Sequence, residues 1–145
     1  MAKILRNSSH RLSPLNGSVV CCDIYGAFIH TGIWLNGGIV ELAGSGLVRH
    51  ISPNRFLQGR SGDHIFTLGN DTANVLNSYH AAENAQSRIY EYINYDVMSH
   101  NCNRFVATCF DLPHSREIML FSELTEKLSN FFKCPLVFYK IDTNF

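Results

Sequence analysis

A cysteine flanked by two asparagines, in the run His100-Asn101-Cys102-Asn103-Arg104-Phe105, is the residue of this chain best suited to chemistry. Thiol nucleophilic catalysis needs a cysteine to attack and a base to take its proton. The base is His30, far upstream in the apolar run Phe28-Ile29-His30-Thr31-Gly32-Ile33-Trp34. With Asn101 as N-cap, Cys102 opens a helix at the positive end of its dipole, which favours the thiolate. Its backbone N–H there is placed to help bind an oxyanion. The plainer alternative is that Cys102 only begins a buried helical face that Cys109 continues.

A strand has to carry His30. Phe28, His30, Gly32 and Trp34 share one face of it, and Ile29, Thr31, Ile33 and Leu35 the other. The turn Asn36-Gly37-Gly38 follows, with residues that accept positive φ. A two-residue turn at Asn36-Gly37 sets Ile33 opposite Val40 and Gly32 opposite Glu41. Glu41 is then the diagonal neighbour of His30 on the same face, about 7–8 Å away between β-carbons. Gly32 leaves space for it. Glu41 can accept the imidazole N–H and fix its tautomer, as the third member of a triad does. A three-residue turn would send Glu41 to the other face. Alone, Glu41 reads as a solvated residue near a strand end.

Other candidates carry less. Tyr25 precedes the His30 strand and has a hydroxyl that could serve an oxyanion. Cys21 and Cys22 are adjacent in a strand, so they point to opposite faces and read as structural. Nothing in the spacing of His50 or His64 ties them to a site. Gly44-Ser45-Gly46 lacks the third glycine and the helix of a dinucleotide loop, and reads as a turn. No His, Asp or Glu cluster has metal-ligand spacing, so neither a metal nor a cofactor is expected.

Strands are expected over residues 17–23, 27–35, 39–43, 47–51 and 64–68, with a turn at Ser52-Pro53-Asn54. Val75, Leu76, Tyr79, Ala82, Gln86, Ile89 and Ile93 follow a helical period, placing a helix from the seventies to near Ile93. Residues 95–98 read as extended. Cys102, Phe105, Val106, Cys109 and Phe110 form one apolar helical face, stopped by Pro113. Phe121, Leu124, Leu128, Phe131 and Phe132 make a last amphipathic helix, and residues 136–141 a final strand. Strands first and helices later predict an α+β fold, an antiparallel sheet packed against helices.

The chain has 145 residues, 46% of them hydrophobic, which suits one domain with a real core. Lys plus Arg and Asp plus Glu each number 12. Zero net charge gives no electrostatic reason to expect nucleic acid or a polybasic membrane patch. No run is long enough for a membrane span, and the first residues lack the apolar core of a secretion signal. Five cysteines, an odd number without zinc spacing, suit free thiols in a reducing cytoplasm.

The order of these motifs resembles a known family. Gly17-Ser18-Val19-Val20 leads into His30-Thr31-Gly32-Ile33-Trp34-Leu35, then Ile39-Val40-Glu41-Leu42, then Tyr95 and Asn101-Cys102-Asn103-Arg104-Phe105. This is similar to the lecithin:retinol acyltransferase-like branch of the NlpC-type, papain-like cysteine enzymes, a circularly permuted fold in which His precedes Cys. The resemblance covers residues 17–109, and Asn-Cys-x-x-Phe is its most specific element. It implies a nucleophile at Cys102, a base at His30 and a third polar residue at Glu41, with the nucleophile at a helix N-terminus and a catalytic core near residues 17–110. The chain departs from the animal acyltransferases in three ways. Glu41 replaces their usual His, Asn103-Arg104 replaces their Glu-His pair after the cysteine, and their carboxy-terminal membrane helix has no counterpart.

The expected function is a soluble cysteine hydrolase or acyltransferase acting on a small acyl or peptide substrate through a thioester. Two other readings stay open: a peptidase of cell-wall peptides, and a binding or scaffold domain without catalysis.

Overall fold

Asn36 and Gly37 set the register at the centre of the sheet. Their φ values of 48° and 79° are both positive, as a two-residue type I′ turn requires. Leu35 therefore pairs with Gly38, Trp34 with Ile39 and Ile33 with Val40, the expected parity. This hairpin joins β4 (His30–Leu35) to β5 (Gly38–Leu42).

The structure is a computed structural model that describes residues 2–4, 10–22, 29–58, 64–93 and 100–142. The remaining strands are β1 (Ala2–Ile4), β2 (Arg11–Leu12), β3 (Val19–Cys22), β6 (Val48–Ile51), β7 (Phe66–Gly69) and β8 (Leu136–Ile141). The helices are α1 (Pro53–Leu57), α2 (Tyr79–Ser87), α3 (His100–Cys109) and α4 (Phe121–Phe132). The fold is α+β. Its sheet runs β1-β8-β7-β3-β4-β5-β6, and β2 also pairs with β8. The expected all-antiparallel sheet is corrected here: β1 and β2 run parallel to β8. Both belong to the amino-terminal stretch outside the family resemblance, and local patterning cannot foresee pairing with the far end of the chain.

Alternation divides the core in two. Ile33, Leu35, Val19, Cys21, Val40 and Leu42 face the larger cluster, with Ala81 and Ala85 of α2, Phe105 and Val106 of α3, and Leu124 and Leu128 of α4. Val20, Cys22, Trp34 and Ile39 face the smaller cluster, with Phe56 of α1. Cys21 and Cys22 thus point to opposite faces, as adjacent strand residues do. Phe105, Val106 and Phe110 are buried, and burying such side chains contributes roughly 1.5–3 kcal/mol each. That anchors α3 firmly on the sheet.

Three local expectations change. The segment after Ser52 is a helix: Ser52 caps α1 by accepting from the Arg55 N–H, and Pro53 occupies its first turn. α2 stops at Ser87 rather than near Ile93. Tyr90, at φ 75°, leaves helical geometry, and the chain returns along the β6 edge, with Tyr90 N–H donating to Val48 O and Ile93 N–H to Gly46 O. The apolar Ile89 and Ile93 prolong the helical spacing but still pack on the larger cluster from this extended return. α3 begins at His100, so Asn101 lies within its first turn rather than capping it. The extended segment expected at residues 95–98 lies outside the described residues. No helix among the described residues is long and apolar enough to cross a membrane.

Candidate active site

His30 is the first residue of β4, opposite Cys22 of β3. It is buried, and its ring stacks on Phe56 of α1 at 4.9 Å between centroids and 30° between planes. Its Nε2 lies 2.7 Å from Glu41 Oε1. A carboxylate only accepts, so Nε2 carries the proton and Nδ1 presents the lone pair. The diagonal placement of His30 and Glu41 follows from the register of the hairpin. The space at Gly32 is also used by its neighbours on this face. A β-carbon there would lie 2.6 Å from Ile39 Cγ2, 2.9 Å from Val40 O and 3.3 Å from Phe56 Cε1. Gly32 admits Ile39 and Phe56, and through Phe56 the platform beneath His30.

Glu41 is buried, yet its second oxygen is also satisfied. Arg49, its direct partner across the β5–β6 ladder, donates from Nε to Oε2 at 2.7 Å. Burial pushes the carboxyl pKa up. The bonds and charges of His30 and Arg49 outweigh that, and it falls below the ordinary value. Sequence reasoning missed Arg49 and Phe56. Arg49 was within reach of a register argument extended one strand further. Phe56 sits on a five-residue helix, too short to show a period.

Cys102 is the third residue of α3. It is in the first turn, where amides point out of the helix. Its side chain is 0% exposed, and Sγ donates to Ile29 O at 3.8 Å. Burial pushes the thiol pKa up. Hydrogen bonds and charge from His30, followed by hydrogen bonds from Thr31, more than reverse this, and the pKa falls below the ordinary value. Cys109 and Cys21 behave in the opposite way. Burial pushes Cys109 up to about 12, with Arg88 opposing it. Cys21 also rises, through burial and the neighbouring thiols Cys22 and Cys102. α3 packs on the Thr31 face of β4, while His30 lies on the Trp34 face. His30 opens the strand, and Cys102 reaches that end of it through its bond to Ile29 O.

Asn103 and Arg104, where the chain departs from the animal acyltransferases, hold the start of α3 in place. Asn103 Nδ2 donates to Met119 O at 3.3 Å, and Arg104 Nε to Ile118 O at 3.2 Å. Both tie the helix to the connection leading into α4. Asn103 Oδ1 accepts from Thr31 Oγ1 at 3.2 Å.

Two other sequence candidates, His50 and the Gly44-Ser45-Gly46 run, do not join this cluster. His50 Nε2 lies 2.7 Å from Leu35 O at the far end of β4. His64 is exposed just before β7. Gly44-Ser45-Gly46 is a turn, closed by Gly46 N–H to Ala43 O and Ala43 N–H to Leu47 O. Tyr25 lies outside the described residues. Among the described residues no group of three His, Cys, Asp or Glu side chains could hold a metal.

The arrangement is a relay, Arg49–Glu41–His30–Cys102. An anchored carboxylate orients an imidazole, and that imidazole lowers the pKa of the Cys102 thiol. Such a set can generate a thiolate and later return the proton to a leaving group. In comparisons with known proteins, no family model matches this chain and no curated protein matches it.

Proposed function

We propose that this protein is a cysteine hydrolase or acyltransferase of the permuted papain-like, NlpC-type class, acting on an ester or amide through a thioester. The observation that carries the reading is the buried His30–Glu41 hydrogen bond beside a thiol of lowered pKa.

Nδ1 of His30 takes the Cys102 proton, and Glu41 stabilises the imidazolium so formed. The sulfur attacks the acyl carbonyl. Amides in the first turn of α3 supply positive potential for the oxyanion. The tetrahedral intermediate collapses, His30 returns the proton to the leaving alcohol or amine, and a thioester remains on Cys102. Water or an acceptor nucleophile, deprotonated by His30, then releases the acyl group. This chemistry needs no metal.

Full burial of Cys102 favours one second reading: a binding domain that keeps the triad geometry without turnover. One experiment separates the two. The protein is incubated with short activated acyl esters, and the adducts are mapped by mass spectrometry. A thioester on Cys102, lost in Cys102→Ser and His30→Asn, supports the enzyme. Acylation of the other cysteines but never of Cys102 removes it.

A further inference from the structure

The dipeptide Asn-Gly occurs twice, at Asn16-Gly17 and Asn36-Gly37. In such a pair the glycine backbone nitrogen can attack the asparagine side-chain carbonyl, because no β-carbon shields it. The attack needs a free backbone N–H and an asparagine side chain able to turn toward it. The two asparagines hold each other. Asn36 N–H can only donate, so it fixes Asn16 Oδ1 as its acceptor at 2.8 Å, and Asn16 Nδ2 then donates to Asn36 Oδ1 at 3.0 Å. The glycines differ. Gly17 is buried, its N–H donates to Trp34 O at 2.9 Å, and a β-carbon there would collide with Ser78 O. The Asn16 carbonyl is held as well, by Asn77 Nδ2 at 2.9 Å. Gly37 is exposed and nothing lies within 4 Å of the same position. Among the described residues its N–H makes no hydrogen bond, and the Asn36 side chain is restrained by the Asn16 amide alone.

We propose that Asn36-Gly37 is a site of spontaneous modification in the folded protein, converting to aspartate and isoaspartate while Asn16-Gly17 stays intact, and that the Asn16 side chain is the brake on it. This does not depend on the chemistry of Cys102. The Gly37 nitrogen gives its proton to solvent and bonds to Asn36 Cγ. The Cγ–Nδ2 bond breaks, and that nitrogen leaves as ammonia with a proton from water. Water then opens the five-membered imide. Breaking the Cγ–N bond gives aspartate. Breaking the backbone C–N bond gives isoaspartate, with the chain running through Cβ and Cγ. Only water is consumed. Aspartate suits the turn, since Asp-Gly favours type I′ as Asn-Gly does, and its carboxylate still accepts from Asn16 Nδ2. Isoaspartate puts one more atom into the backbone of a turn built for two residues. It loosens the pairing of Leu35 with Gly38, and with it the register that sets Glu41 beside His30.

The test is to age the full chain in mildly alkaline buffer, folded and in denaturing urea, and to follow each asparagine by peptide mass spectrometry, with aspartate and isoaspartate separated by chromatography. In urea both dipeptides convert. In the folded wild type Asn36 converts, more slowly than in urea, and Asn16 does not. Asn16→Ala, its folding checked by circular dichroism, speeds conversion at Asn36 about fivefold, the worth of one neutral hydrogen bond. The wild-type contrast between the two sites needs no variant, so the proposal stays readable if Asn16→Ala does not fold. The isoaspartate fraction unfolds at lower urea than unmodified protein, and Asn36→Asp, which makes the other product directly, keeps the wild-type midpoint. The proposal is overturned if the folded protein converts both sites equally, or converts neither while the chain in urea converts both. It is also overturned if Asn16→Ala leaves the rate at Asn36 unchanged, or if the isoaspartate fraction and Asn36→Asp share one midpoint.

Discussion

The Glu41 carboxylate lies 2.7 Å from His30 Nε2, and both side chains are buried. A buried carboxylate held by one partner is costly, because the desolvation of the charge is hard to offset. Here Arg49 engages the second oxygen at the same distance. Glu41 therefore stays ionised, and an ionised Glu41 commits the His30 proton to Nε2. Nδ1 is left as the base side of the imidazole.

The relay predicts which cysteine reacts at low pH. Cys102 is alkylated with a midpoint below that of an ordinary thiol, and His30→Asn moves the midpoint up. The sign follows from the dominant stabilising partner: removing the His30 hydrogen bond and charge leaves burial unopposed by them. Because the sulfur is buried, absolute rates are low, and the informative readout is the pH profile. Cys109, pushed up to about 12, stays unreactive across the neutral range.

Removing Glu41 separates stability from chemistry. Glu41→Ala leaves the Arg49 and His30 partners without their acceptor and destabilises the fold by roughly 3–5 kcal/mol, read as a shift in urea midpoint. Glu41→Gln keeps the volume and destabilises less. It lowers the acylation rate on the order of 10²–10⁴-fold, because a neutral amide no longer stabilises the imidazolium. Equal acylation rates in Glu41→Gln and the wild type contradict the orienting role.

The stability of the fold also depends on pH through Glu41. Its pKa in the folded protein lies below the ordinary 4.5. The stabilisation is fully present above that ordinary value and is lost as pH falls through the folded pKa. Denaturation midpoints measured downward from pH 5 fall more steeply in the wild type than in Glu41→Gln. Parallel curves would show that folding does not lower the Glu41 pKa.

Gly32 tests the platform under His30. In Gly32→Ala the new methyl meets Ile39 Cγ2 at 2.6 Å and the backbone oxygen of Val40 at 2.9 Å. A side chain can turn aside, but the strand carbonyl cannot. The overpacking costs about 1–3 kcal/mol, measured by thermal or urea denaturation. An unchanged midpoint means the strand relaxes more readily than its ladder suggests.

How much of this was legible in the sequence differs residue by residue. The His30–Glu41 pair was legible because Asn36-Gly37 dictates a two-residue turn, and turn length dictates which side chains share a face. α4 was legible as a helix, since Phe121, Leu124, Leu128, Phe131 and Phe132 keep one apolar helical spacing along it. Arg49 was one strand beyond the argument, across a turn whose length the sequence left open. α1 was read as a turn because five residues are too few for a period. The end of α2 was misplaced because Ile89 and Ile93 keep the helical spacing while the backbone turns extended at Tyr90.

The sequence by itself determined the types of the reactive groups, their order along the chain, and the pairing of His30 with Glu41, because these depend on local turn geometry and on side-chain period. Period assigns a residue to a face but does not name what covers that face. The tertiary structure decided that the first turn of α3 lands on the first residue of β4, that Asn103 and Arg104 pin it there, and that the terminal strands β1 and β2 join β8 in parallel. Those contacts bridge long stretches of chain and are selected by closing a core on each sheet face. The lowered pKa of Cys102 is likewise a tertiary property, since it exists only where burial and the His30 partner meet at the same sulfur.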